Sequence, residues 1–196
     1  MTRRVLWLLW FVLAAVAVFV LRRRFISFWL RLPPPRNRVR IERGVYVVTP
    51  DGIQLASDHY APMTDQTCPT ILIRCPYGRN WHHGIFGLRV EFVAQRFAER
   101  GYHVITQDVR GRFDSDGEFE PHVYEREDGL ATIGWLKQQP WFNGDLGMWG
   151  PSYLGVVQWA VADAPEVRVL FPMITSSSLY DIVFPDGALD LGLILR

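Results

Sequence analysis

The chain has 196 residues, of which 49% are hydrophobic and 21% are charged, and its formal net charge is +1. This composition excludes disordered, collagen-like and disulfide-dense proteins. The small net charge conceals an asymmetry, because residues 1–43 hold ten arginines and one acid, whereas residues 44–196 hold 11 basic and 19 acidic residues. A nucleic-acid-binding protein carries its positive charge on the folded domain that contacts the phosphates, so we expect no nucleic-acid partner.

An apolar run near the N-terminus predicts a membrane anchor. Residues 5–21 are 17 consecutive apolar residues, and a helix of that length spans roughly 25 Å, a little short of the ~30 Å hydrocarbon core. Two arginines precede the run and seven follow it within twenty residues, so the positive-inside rule places the body in the cytoplasm. We therefore predict a single-pass membrane protein in which residues 1–43 are the anchor and a basic, Pro-containing linker.

A cleaved signal peptide is the alternative for the same segment. Arg3-Arg4 can serve as its positive region and Ala15-Val16-Ala17 as its cleavage site, in which case the body is exported. The run Arg22-Arg23-Arg24 directly after the apolar segment favours a retained helix.

Strands and helices alternate along residues 44–196. Two strand-like runs, 45–49 and 53–60, flank Asp51-Gly52, which favours a tight hairpin turn. After them we predict strands at 70–73, 102–106, 146–149 and 167–171, and helices at 88–100, 127–138 and 153–162. This alternation predicts an α/β fold with a mostly parallel sheet, helices on both faces, and ligand chemistry at the carboxyl ends of the strands.

One motif points to nucleophilic chemistry. The sequence Gly147-Met148-Trp149-Gly150-Pro151-Ser152-Tyr153-Leu154-Gly155 places a serine between a strand and a helix. Such a turn is so tight that the neighbouring residues must be small, and it lifts the serine hydroxyl above the sheet. The alternative is that Ser152 only caps the helix, since the second glycine stands one residue later than in the usual G-x-S-x-G pattern.

Four motifs in order resemble the X-Pro dipeptidyl-peptidase and cocaine-esterase (CocE/NonD) family of α/β-hydrolases. They are the hairpin around Asp51-Gly52, the loop Arg74-Cys75-Pro76-Tyr77-Gly78, the loop 108–117 and the segment 139–155. The resemblance implies that Ser152 is the nucleophile, and that the Tyr77 hydroxyl and the Tyr153 backbone N–H form the oxyanion hole. It further implies a serine hydrolase that cleaves a small ester or X-Pro peptide substrate through an acyl-serine intermediate, without metal or cofactor.

The catalytic base is missing from the expected place. In this fold the acid and the histidine follow the serine in the chain, yet all five histidines precede Ser152: His59, His82, His83, His103 and His122. We therefore interpret residues 44–196 as a partial α/β-hydrolase domain that is inactive by itself. The alternative is a remnant that keeps the fold without turnover.

Two loop segments contain residues that could have a catalytic or metal-binding role. His82 and His83 follow Tyr77 in the same loop, so either could replace the missing base, although solvated loop histidines are the simpler interpretation. Asp114, Asp116 and Gly117 resemble part of a calcium loop, but positions 1 and 12 of that loop would be Arg112 and Val123, so we expect no calcium site.

Overall fold

The computed structural model describes residues 3–189, which contain five α-helices and one six-stranded sheet. The first elements are α1 (Arg3–Trp29), β1 (Val39–Val48), β2 (Gln54–Pro62) and β3 (Thr70–Cys75). A short 3-10 helix (Trp81–His83) leads into α2 (Gly84–Ala98), β4 (His103–Asp108), α3 (Glu125–Leu136) and β5 (Leu146–Pro151). The last elements are α4 (Tyr153–Trp159), β6 (Val167–Met173), α5 (Leu179–Val183) and a 3-10 turn (Pro185–Gly187).

The strands form one mixed sheet in the order β1-β2-β4-β3-β5-β6. β2 pairs antiparallel with both β1 and β4, whereas the β3–β4, β3–β5 and β5–β6 pairs are parallel. The predicted α/β fold opened by a hairpin is therefore confirmed. Because β3, β4 and β5 run in the same direction, the loops that follow them meet at one edge of the sheet.

Apolar side chains pack on both faces of the sheet. On one face Leu72 and Ile105 pack with Val157 of α4. On the other face Ile73 packs with Ala94 of α2. The central strands are buried on both sides, which explains why 70–73 is almost continuously apolar in sequence.

The hairpin turn lies where the sequence predicts it, but β1 is longer than expected. Thr49 N–H donates to the Ile53 carbonyl at 2.9 Å, and Gly52 has a φ of 87° that glycine adopts readily. β1 begins at Val39, so the predicted boundary between linker and body at residue 43 lies inside this strand. The first half of β1 is an exposed edge that carries alternating charges, and such an edge lacks the apolar pattern of a buried strand.

The prediction for the N-terminus is wrong. Among residues 3–189, no helix has both the length and the apolar character needed to cross a bilayer. The apolar run of 17 residues is short for a hydrocarbon core of ~30 Å, and α1 continues from it through Arg22, Arg23 and Arg24. The structure therefore does not support a transmembrane helix at 5–21. The prediction of a single-pass membrane protein with a cytoplasmic body rested on that helix and is wrong as well.

Polar contacts attach the C-terminal part of α1 to the end of α2. Arg23 Nε pairs with the Glu99 carboxylate at 2.6 Å, and Arg100 donates to Ser27 Oγ at 2.8 Å. The backbone carbonyl of Glu99 accepts hydrogen bonds from the N–H groups of Arg36 and Asn37. The segment between α1 and β1 is therefore held against the body.

Candidate active site

Ser152 occupies a strained turn between β5 and α4. Its φ of 56° and ψ of −126° lie in a region that side-chain-bearing residues rarely adopt, at a typical cost of about 1–3 kcal/mol. The surrounding backbone holds this conformation, because Ser152 N–H donates to the Met173 carbonyl at 2.8 Å and Gly155 N–H donates to the Ser152 carbonyl at 2.8 Å. The exposed serine is thus displayed at the carboxyl end of the sheet.

Close packing explains both glycines of the motif. A Cβ on Gly150 would lie 2.3 Å from Leu154 Cβ, and a Cβ on Gly155 would lie 2.4 Å from Thr175 Cγ2. The second glycine stands at 155 because the segment that follows β6 crosses α4 there. The unusual spacing of the motif therefore has a packing reason in this chain.

The Ser152 side chain does not cap α4, which removes the simpler interpretation of the motif. Its hydroxyl makes no cap hydrogen bond to that helix. Instead, Ser152 Oγ lies 3.5 Å from the Tyr77 hydroxyl. Two residues that are 75 positions apart in the chain are thus brought together at one edge of the sheet.

Tyr77 lies in the loop that follows β3. Its N–H donates to Cys75 Sγ at 3.3 Å, and Arg112 Nε donates to the Pro76 carbonyl at 3.0 Å. Gly78 turns the chain with a φ of 101°, and a Cβ there would lie 2.3 Å from His83 Cβ. The loop therefore has little room to move away from Ser152.

Buried charged side chains attach the Tyr77 loop to the strands of the sheet. Arg79 Nε and Asn80 Nδ2 donate to the two oxygens of the Asp58 carboxylate, at 3.1 and 2.8 Å, and Asp58 lies fully buried in β2. Arg79 also pairs with Asp108 at the end of β4 and with Asp114. Burial raises the pKa of Asp108 to about 7, although the Arg79 guanidinium opposes this shift.

The Tyr153 side chain has a different role from its backbone. Its hydroxyl donates to Glu125 Oε1 at 2.6 Å and accepts from the His122 N–H at 3.0 Å, on the α3 side of the sheet. Burial and the Glu125 carboxylate raise the pKa of this phenol. The Tyr153 hydroxyl is therefore bound on the α3 side and makes no contact with Ser152.

An apolar cavity of about 520 Å³ adjoins Ser152 and Tyr77. Its walls are mainly apolar side chains of α2, β5 and α4, with one cation at the side: Phe86, Val90, Val93, Trp149, Leu154 and Arg89. The volume lies in the range of small-molecule sites. The cavity has room for a bulky apolar group beside the serine.

The structure brings none of the five histidines to Ser152. Within residues 3–189, no histidine nitrogen lies within hydrogen-bonding distance of Ser152 Oγ. His83 is bound through Nε2 to Asp114 at 3.2 Å, and its ring stacks on Phe113. His83 is thus largely enclosed rather than solvated, while His82 is exposed and lies against Trp81. The other three histidines contact aromatic rings: His59 and His103 stack on Trp141, and His122 stacks on the Tyr153 ring.

One side-chain group has the composition of a metal site. Ligand atoms of His83, Asp108 and Asp114 lie within 4.8 Å of one another. The Arg79 guanidinium pairs with both aspartates and supplies a positive charge inside the group. We therefore assign these residues to an ion-pair network rather than to a metal centre.

Sequence reasoning missed this network. The signal was the acid Asp58, which stands within an otherwise uncharged strand and is paired by the loop residues Arg79 and Asn80. A charged side chain inside a buried strand needs a partner, so its position predicts that another charged segment packs against β2.

Residues 51–195 match the family model of the X-Pro dipeptidyl-peptidase (S15 family). The chain belongs to this family. The X-Pro dipeptidyl-peptidase family match covers the hairpin turn and β2, the Tyr77 loop and the Ser152 turn, and it confirms the resemblance found in the sequence.

Two curated relatives of this family member are esterases by name. The chain is 37% identical over 160 residues to cocaine esterase of Rhodococcus sp. strain MB1 Bresler, which covers 79% of this chain and 27% of the relative. It is 31% identical over 184 residues to a putative serine esterase of Mycobacterium bovis, covering 81% of this chain and 29% of the relative. The chain thus spans less than a third of the length of these relatives.

Solved structures show the same fold. A CocE/NonD family hydrolase from Staphylococcus aureus is 25% identical with a TM-score of 0.58, covering 67% of this chain and 27% of that one. An α-amino acid ester hydrolase is 27% identical with a TM-score of 0.54, covering 70% of this chain and 26% of that one. The X-Pro dipeptidyl-peptidase family member described here therefore shares the α/β-hydrolase sheet of these enzymes.

Proposed function

We propose that this chain supplies the nucleophile and the oxyanion hole of a serine hydrolase that cleaves an ester or an X-Pro peptide bond. The observation that carries the proposal is the strained backbone of Ser152 together with the Tyr77 hydroxyl 3.5 Å from its Oγ. Esterase names among the relatives favour an ester substrate.

The proposed reaction begins with attack of Ser152 Oγ on the substrate carbonyl carbon. The serine proton passes to a base, and the carbonyl electron pair moves onto oxygen. The resulting oxyanion accepts hydrogen bonds from the Tyr77 hydroxyl and the Tyr153 backbone N–H. Collapse of this intermediate releases the alcohol or amine, which takes the proton from the base, and water then hydrolyses the acyl-serine.

The base has no counterpart near Ser152 in the part of the chain that the structure describes. His83, which follows Tyr77 in the same loop, is hydrogen-bonded to Asp114. The proposal therefore requires that a histidine reach Ser152 from outside residues 3–189. A second candidate follows from the same observation, namely a remnant that keeps the fold and does not turn over.

Labelling with a fluorophosphonate tests the proposal on the chain as it stands. We expect weak or no labelling alone, and labelling of Ser152 that increases with added imidazole, which acts as an external base. Ser152→Ala should abolish the signal, and Tyr77→Phe should lower the imidazole-dependent rate by roughly 100-fold, as loss of one oxyanion donor does. Mass spectrometry locates the label.

Two outcomes decide between the candidates. Label on another residue, or an equal rate in Ser152→Ala, contradicts Ser152 as the nucleophile. An unlabelled Ser152 at saturating imidazole, in a protein that unfolds cooperatively, favours the inactive remnant.

A further inference from the structure

A second cavity, of about 710 Å³, lies at the opposite end of the sheet from Ser152. This cavity lies where β2 ends and β4 begins. Its lining also includes the loop 63–67, Arg40 of β1 and residues 140–142. Ser152 follows the carboxyl end of β5, which is parallel to β3 and through it to β4. This cavity is therefore separate from the candidate active site.

Three stacked rings form one wall of this cavity. His59 Nε2 and His103 Nδ1 share a hydrogen bond of 2.9 Å, and both residues are buried. The Trp141 ring stacks on both of them, with centroid distances of 4.2 and 4.5 Å. Because the two imidazoles and the indole brace one another, the wall presents a preformed aromatic surface.

The charge at this wall favours an anion. Arg40 is exposed and forms no ion pair with the residues that the structure describes. Burial is the main cause that lowers the pKa of both imidazoles. The Arg40 cation lowers both further, after His103 in the case of His59. One acid, Asp65, also lines the cavity, from an exposed loop position. A metal ion is disfavoured here, because the Arg40 cation would repel it and because the two histidine nitrogens already share a hydrogen bond.

We propose that this cavity binds a small aromatic carboxylate. The volume lies in the usual range for small-molecule sites, and the lining combines polar side chains with apolar ones in about equal number. Trp141 and Phe142 are half-buried aromatic side chains of the lining that an aromatic ring can contact, and the Arg40 guanidinium matches the geometry of a carboxylate. The site is independent of the hydrolysis proposed at Ser152.

Titration with benzoate tests this site, with neutral benzamide as the matched ligand. The readout is the indole N–H signal of Trp141 in a ¹H–¹⁵N NMR spectrum. We expect benzoate to bind at least tenfold more tightly than benzamide and to shift this signal. Arg40→Gln, an exposed position that leaves the fold intact, should reduce benzoate affinity at least tenfold.

A second arginine variant serves as the control for this titration. Arg126→Gln removes another exposed arginine, one that pairs with Asp163 and does not line the cavity, and should leave benzoate binding unchanged. Equal affinity for benzoate and benzamide, an affinity unaffected by Arg40→Gln, or an unshifted Trp141 signal up to about 10 mM benzoate overturns the proposal.

Discussion

Arg79 Nε donates to Asp58 Oδ1 at 3.1 Å, and this pair ties the Tyr77 loop to the middle of β2. Both side chains are almost completely buried. The same guanidinium reaches Asp108 at the end of β4, so a single side chain connects two strands to the loop. The position of the Tyr77 loop therefore depends on buried charges that lie beneath it.

Arg79→Gln should lower the free energy of unfolding by about 3–5 kcal/mol, because it leaves buried carboxylates without their cation. Urea unfolding at neutral pH measures this change. Arg126→Gln is the matched control, since Arg126 pairs with Asp163 at the exposed surface, and we expect little change there. Equal stability of Arg79→Gln and the parent chain would show that the network contributes nothing net.

Gly155→Ala should destabilise the protein by about 1–3 kcal/mol, because the new methyl group overlaps Thr175 next to the Ser152 turn. Gly134→Ala is the matched control in α3, where a Cβ meets nothing within 4 Å. That change should instead stabilise by about 0.4–1 kcal/mol, since alanine restricts the unfolded chain. Thermal unfolding of the two variants should therefore shift in opposite directions.

Gln158→Leu should lower the free energy of unfolding by about 1–3 kcal/mol, the penalty for a buried polar group left unpaired. Gln158 is fully buried, accepts the Phe171 N–H at 2.9 Å and donates to the Leu154 carbonyl at 2.8 Å. It thereby joins α4 to β6 beside the Ser152 turn. The same substitution at exposed Gln138 should be nearly neutral in chemical denaturation, and an equal loss at both sites would argue against this role.

Stability should fall as the pH drops from about 6.5 toward 3, partly through His59. Burial lowers the pKa of His59 to about 3 from its ordinary value of 6.5. Between these pH values His59 is protonated in the unfolded chain but neutral in the folded chain. Its contribution to the free energy of unfolding is therefore complete above pH 6.5 and is lost on acidification. His59→Gln should flatten the slope of unfolding free energy against pH, and an unchanged slope would exclude His59 as a source.

Local patterns were sufficient for the central elements and for the Ser152 turn. The Ser152 turn was predictable because its small residues and its strand-to-helix context are properties of adjacent positions. The hairpin at Asp51-Gly52 was predictable for the same reason. The Tyr77 contact needed the family resemblance, because nothing in the local sequence relates residues 77 and 152.

The errors lie where a pattern has more than one physical explanation. An apolar run of 17 residues near the N-terminus is compatible with a span, a signal peptide or a helix that continues into the domain. The exposed half of β1 carries charges because it is an edge strand, so its sequence resembles a linker. His83 looked like a solvated loop residue because its partners Asp108 and Asp114 are distant in the chain.

The sequence by itself determined the α/β alternation, the tight serine turn and the absence of a histidine after Ser152, since each depends on the order of residues along the chain. Only the tertiary structure decided that Tyr77 faces Ser152, that His83 is committed to Asp114, and that Asp58 holds the Tyr77 loop through Arg79. These relations arise from parallel strands that bring distant loops to one edge, where burial and charge, rather than sequence spacing, select the partners.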